Sequence, residues 1–153
     1  MEERKQVVAR FTNGAVFKGF TDDFSPHRPV FHLQLNQNTA KPVKMCDLKA
    51  VFFVKNLMGD RKYRKVREFP KTPLESEAGR HVAIQFKDGE LLIGYTLSYT
   101  PGRQGFFMSP VDPAGNNIRA YVLINATKVV KTGTEADQLI EKISEQPKRR
   151  KAA

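Results

Sequence analysis

The chain repeats itself. Sliding the sequence by 75 positions lays Val7–Leu35 over Val82–Pro110 without a gap. Eight pairs are then identical: Val7/Val82, Phe11/Phe86, Gly14/Gly89, Gly19/Gly94, Thr21/Thr96, Pro26/Pro101, Arg28/Arg103 and Phe31/Phe106. Others, such as Leu33/Met108, keep their apolar character. A one-residue insertion brings Ala50–Val54 over Ala126–Val130. A fixed period means that one supersecondary unit is built twice. The copies fall at 6–56 and 80–131, with a linker at 57–79 that ends in Phe69-Pro70-Lys71-Thr72-Pro73, where two prolines bar a regular element.

Each copy reads as short strands. Val7, Ala9 and Phe11 alternate with Val8, Arg10 and Thr12, and Val82, Ile84 and Phe86 with Ala83, Gln85 and Lys87. That is period two. Asn13-Gly14 and Asp88-Gly89 follow at once and favour a tight I′ hairpin with positive φ at both turn positions. Strand two is expected over Ala15–Phe24 and Glu90–Tyr99, with Gly19 and Gly94 marking a bend or a close backbone approach. Ser25-Pro26 and Thr100-Pro101 open loops. Strand three is expected at Val30–Leu35 and Gly105–Met108, strand four at Val43–Cys46 and Ile118–Leu123, and strand five at Val51–Lys55 and Thr127–Lys131. Five short bent antiparallel strands in some 50 residues give a small barrel. The fold expected is mainly β: two tandem five-stranded antiparallel small barrels with a short C-terminal helix. That helix is expected over 134–146, because Ala136, Leu139, Ile140 and Ile143 make one apolar stripe at helical spacing. A basic disordered tail is expected at 147–153. A barrel of this size is marginal alone, so the two should pack together or on partners.

The formal charge is +10, and it is concentrated. Residues 55–71 hold seven Lys and Arg against Asp60 and Glu68, and Lys148-Arg149-Arg150-Lys151 adds four more, leaving the rest of the chain nearly neutral. A linker and tail of this kind suit a polyanion. Arg61-Lys62-Tyr63-Arg64-Lys65-Val66-Arg67 sets one aromatic among five cations, so Tyr63 can stack a base while Arg61, Lys62, Arg64, Lys65 and Arg67 neutralise phosphates. Arg28 and Arg103 hold equivalent loop positions, each two residues past a proline, and a guanidinium there can grip phosphate bidentately. Arg119 closes a second polar cluster, Asn116-Asn117-Ile118-Arg119.

Other chemistries find little here. His27, His32, His81 and the single Cys46 match no zinc spacing, and one cysteine makes no internal disulfide. No nucleophile–base–acid set and no glycine-rich phosphate loop is readable, so the chain is expected to be no enzyme and to need no metal or cofactor. The longest apolar run, Ala50–Val54, is too short to span a bilayer. The charged start carries no secretory pattern, so the cytoplasm is the expected compartment.

The interval from Asn13-Gly14 to Gly19, and from Asp88-Gly89 to Gly94, resembles the first motif of the Sm-like family, which includes the bacterial RNA chaperone Hfq. Phe31-His32-Leu33 is similar to its third strand and Met45–Val54 to its closing strands. The resemblance implies Sm-like/SH3-like barrels and RNA binding. A basic stretch placed ahead of a barrel is also similar to PilZ proteins, which implies a cyclic dinucleotide as ligand. Arg61, Arg64 and Arg67 stand at spacing three, however, and the PilZ Asp/Asn-x-Ser-x-x-Gly motif is absent. The expected function is regulatory binding of nucleic acid, RNA or single strands first, through the linker and the barrel loops. The alternative is a signalling adaptor for a cyclic dinucleotide or a protein partner.

Overall fold

The computed structural model describes residues 5–55, 79–97, 99–100, 102–110 and 117–152. The expected linker cations and Tyr63 therefore lie outside the described residues. Ten strands run β1 Lys5–Phe11, β2 Val16–Thr21, β3 Val30–Asn36, β4 Thr39–Lys44, β5 Leu48–Val54, β6 Arg80–Phe86, β7 Leu91–Thr96, β8 Gly105–Pro110, β9 Asn117–Leu123 and β10 Thr127–Thr132. A helix, α1 Thr134–Ala152, follows. Its backbone continues through 147–152, the stretch expected as a tail. No helix among the described residues is long and apolar enough to cross a membrane.

Both halves use one strand order: fifth, first, second, third, fourth. A single 3-10 turn joins fourth to fifth strand in each, Met45–Asp47 and Ile124–Ala126. The hairpins differ from the expected I′ type. Phe11 N–H donates to Ala15 O and Gly14 N–H to Phe11 O, while only the glycine has positive φ (91°). This is a three-residue loop, with a type I turn closed by a left-handed glycine. Asn13 Oδ1 accepts the Ala15 N–H at 2.9 Å and so supports the turn without itself leaving the ordinary φ range. Phe86, Asp88, Gly89 and Glu90 reproduce every part of it. Gly19 and Gly94 are close approaches, as expected: a Cβ at either would overlap the carbonyl of Gln34 or Ser109 on the neighbouring strand.

The register corrects the repeat. Phe11 faces Leu48, Arg10 faces Ala50 and Ala9 faces Val51; Phe86 faces Thr127, Gln85 faces Val129 and Ile84 faces Val130. Equivalent residues of the fifth strands thus stand 79 apart, not the 76 that one inserted residue implies. The four extra residues fall between third and fourth strand, where 37–38 join β3 to β4 but 111–116 join β8 to β9. Both fifth strands skip a lysine in the register, Lys49 and Lys128.

The two halves are not separate closed barrels. β5 pairs antiparallel with β9, so all ten strands form one sheet ordered β10-β6-β7-β8-β9-β5-β1-β2-β3-β4, which does not close on itself. The reason is compositional. β5 reads Leu-Lys-Ala-Val-Phe-Phe-Val and needs cover on both faces, and all seven of its residues are buried. Ala50, Phe52 and Val54 join Val82, Ile84, Phe86 and Val122 in one core. Val51 and Phe53 join Val7, Phe31, Leu33, Tyr121 and Leu123 in the other. Each core therefore takes side chains from both halves. Lys49 ties the joint from the side: its Nζ lies 2.7 Å from Asp88 Oδ2 and 2.6 Å from Glu90 Oε1, and 4.6 Å from the centre of the Phe86 ring. The expected stripe of α1 docks, with Ala136 and Ile140 buried on Ala83, Ile93 and Tyr95.

Candidate nucleic-acid interface

The loop after β2 crosses from the first half to the second. Asp23 anchors its start. The carboxylate accepts the His32 backbone N–H at 2.9 Å, the Thr21 hydroxyl at 3.1 Å and a 2.7 Å contact from His32 Nδ1. Partial burial works against the charged form. The bonds from His32 and Thr21 outweigh it and hold the Asp23 carboxyl below the ordinary aspartate value. The end of the loop is fixed by Met45 N–H donating to Pro29 O at 2.8 Å.

Between these anchors Phe24 turns into the seam. Its ring lies 5.2 Å from Phe31, 5.3 Å from Phe53, 5.6 Å from Tyr121 and 6.3 Å from Phe107, edge to face in every case. Edge-to-face rings of this kind add to area burial. Arg119 stands beside this cluster, its guanidinium carbon 4.8 Å from the Phe53 centroid and 4.6 Å from that of Phe107. Lys5 Nζ lies 5.7 Å from Phe53 on the same joint. The guanidinium is thus held by two rings while remaining partly exposed.

The two equivalent loops also meet. Gln104 Nε2 donates to Pro26 O at 3.5 Å across the halves. Arg28 and Arg103 sit in these loops, both exposed. Of the arginines expected from the sequence, Arg28 and Arg103 lie in the two loops that this contact joins, while Arg119 stands on the rings near the other end of β8, past the Met108–Ala120 pair. The Arg61–Arg67 segment and Asn116 lie outside the described residues, so the structure neither joins them to this seam nor separates them from it. Asp23 and His32 form the one His–carboxylate contact near the seam among the described residues, and no metal-holding cluster occurs among them.

Sequence reading missed Phe24, Phe53, Phe107 and Lys5. One signal was present: Phe24 falls over Tyr99 in the 75-residue slide. Tyr99 packs on Phe106 at 5.0 Å and 74°, as Phe24 packs on Phe31 at 5.2 Å and 78°. The aromatic pair is a repeat feature.

Residues 3–132 match a Family of unknown function (DUF6982). The chain belongs to the DUF6982 family. No curated protein and no solved structure matches it. The DUF6982 match takes in every strand from β1 to β10 and stops before α1. What it spans is the paired unit, both halves together with the seam between them.

Proposed function

We propose that this DUF6982 protein is a non-enzymatic regulatory module that binds nucleic acid, RNA or single strands first, along the seam between its halves. Each half is read as an open small barrel of the Sm-like/SH3-like kind. What supports that is the strand order, the 3-10 turn before the fifth strand and the close backbone approach at the glycine of the second strand. The observation that carries the binding reading is Arg119 over Phe53 and Phe107; the exposed Arg28 and Arg103 in the two joined loops add to it. Ring-backed guanidinium and exposed arginines on a chain of charge +10 suit phosphates with unstacked bases between them.

The test is fluorescence anisotropy of a labelled single-stranded RNA across a salt series. Three arginines and five linker cations contacting phosphate give a slope of log K against log salt of roughly −5.6. Changing Arg28, Arg103 and Arg119 to Gln should flatten it by about 2, and changing Arg61, Lys62, Arg64, Lys65 and Arg67 by about 3.5. Absence of binding at low salt overturns the reading. A salt-insensitive one-to-one affinity for a cyclic dinucleotide would establish the adaptor reading in its place.

A further inference from the structure

The β5–β9 joint is a head-to-tail contact: the fifth strand of one repeat pairs with the fourth strand of the other. Such a contact is heterologous and does not consume its own complement. Among the described residues, the sheet ends on β10, a fifth strand, and on β4, a fourth strand. A second copy of the chain could in principle extend it by the same operation, β10 on β4. Unpaired edges are ready templates for such growth.

The register tells which residues would meet. In the chain, Val51 faces Tyr121 and Phe52 faces Ala120. The equivalents of Val51 and Phe52 are Val130 and Lys131, from their partners on β6. The equivalents of Tyr121 and Ala120 are Pro42 and Lys41, because His32 and Leu33 face Pro42 and Lys41 as Phe107 and Met108 face Tyr121 and Ala120. The continued joint would set Lys131 directly opposite Lys41, on one face, and Val130 opposite Pro42. Like charges directly opposite oppose pairing.

The direction of the amides makes the proline decisive. In an antiparallel strand the N–H and C=O of one residue point to the same neighbour. His32 N–H donates to Asp23, away from β4, so the nitrogen of Pro42 opposite it faces the open edge. Phe86 N–H donates to Glu90 O, toward β7, and Ile84, two residues earlier, points the same way. Val130, opposite Ile84, therefore aims its N–H and C=O outward. Its carbonyl would meet a proline that has no hydrogen to give. The first-half joint has the donor in place, on Tyr121.

We infer that Lys41, Pro42 and Lys131 are stop residues, which end head-to-tail strand pairing at two repeats and keep a second copy of this chain off β4 and β10. The seam between the halves is then made once per chain and is not repeated between chains.

The test compares the full wild-type chain with a Lys41→Ala, Pro42→Val, Lys131→Val triple variant by light scattering after gel filtration, over a rising concentration series. The variant should show at least twice the wild-type mass, growing with concentration. Pro42→Val by itself should give a smaller rise. Adding Val130→Pro to the triple variant removes one outward donor without breaking the β6 ladder, and should restore the wild-type mass. A triple variant with wild-type circular dichroism and wild-type mass overturns the inference. So does a mass increase that Val130→Pro leaves in place, because the association then does not run through this edge.

Discussion

In the first half of the molecule the fifth strand, β5, is buried over all seven residues; in the second its equivalent, β10, has none fully buried. The two hold the same place in the strand order, pair with the first strand of their own half, β1 or β6, and skip equivalent lysines, Lys49 and Lys128. What differs is the far side. β5 has β9 beside it and a core on each face, whereas β10 ends the sheet and has α1 packed nearby. The fourth strands differ in the complementary sense: β9 carries Ala120, Tyr121 and Val122 into the joint, and β4 offers Lys41, Pro42 and Val43. A repeat thus conserves topology, and the residues on the strand edges decide which copies meet.

The strongest way to break that comparison is to truncate equivalent residues. Phe52→Ala should cost about 3–5 kcal/mol, since it empties a core shared by both halves. Lys131→Ala at the equivalent position should stay within about 0.5 kcal/mol. Urea unfolding followed by circular dichroism reads both. The Phe52→Ala protein should still unfold in a single transition, because each core draws on both halves; two separated transitions would show independent halves.

A smaller effect is expected at the two close approaches. Gly19→Ala and Gly94→Ala push a Cβ into a neighbouring carbonyl and should each cost about 1–3 kcal/mol by overpacking. A side chain also lies against each, Leu33 at Gly19 and Met108 at Gly94, and the carbonyl overlap is closer at Gly94, so Gly94→Ala should cost at least as much as Gly19→Ala in the same urea series.

The skipped lysines sharpen the comparison further. Lys49 is 10% exposed and bonds two carboxylates of the other half, so Lys49→Met should cost about 1–3 kcal/mol. Lys128→Met, at the exposed equivalent, should be nearly neutral. The bond from Lys49, followed by the Glu90 backbone N–H, holds the Asp88 carboxyl below the ordinary aspartate value. A carboxyl depressed in the folded state stabilises above its unfolded pKa of about 3.9, and that contribution is lost as pH falls through the folded value. The loss of urea midpoint below about pH 4 should therefore be shallower in Lys49→Met than in wild type.

The smallest effect concerns the crossing loop. Asp23→Asn leaves the His32 N–H an acceptor but removes the charge, and should cost about 1 kcal/mol. Amide exchange should rise over 22–29 and stay unchanged over 102–104. A rise in both loops would mean that Gln104 and Pro26 couple them more tightly than one 3.5 Å contact suggests.

Much of this was legible in the chain before folding. Period-two alternation and the turn dipeptides located most strands, and the apolar stripe located the docked face of α1; the first half's fourth strand, expected at Val43–Cys46, runs instead over Thr39–Lys44, with Met45–Asp47 in the 3-10 turn. The hairpin type was not legible, because Asn-Gly and Asp-Gly serve both two-residue and three-residue loops. Neither was the four-residue difference between the halves. Ala50–Val54 over Ala126–Val130 is a plausible apolar match, and only the ladder partners of Arg10 and Gln85 reveal the true register. Arg28, Arg103 and Arg119 stood out as cations in repeat loops or polar clusters. The rings behind Arg119 did not, since a phenylalanine on a strand reads as core whether its edge is covered or open.

Residue pattern alone carries the local terms: strand period, turn glycines, the glycine positions 19 and 94 where a neighbouring strand comes close, and the doubling of the unit. These depend on residues a few positions apart. The tertiary structure decided the pairing of β5 with β9, the burial of Lys49 against Asp88 and Glu90, and the meeting of Phe24 with Phe107. Those contacts join residues 39 to 83 positions apart. They exist because β5 is apolar on both faces and β9 of the other half pairs along its edge.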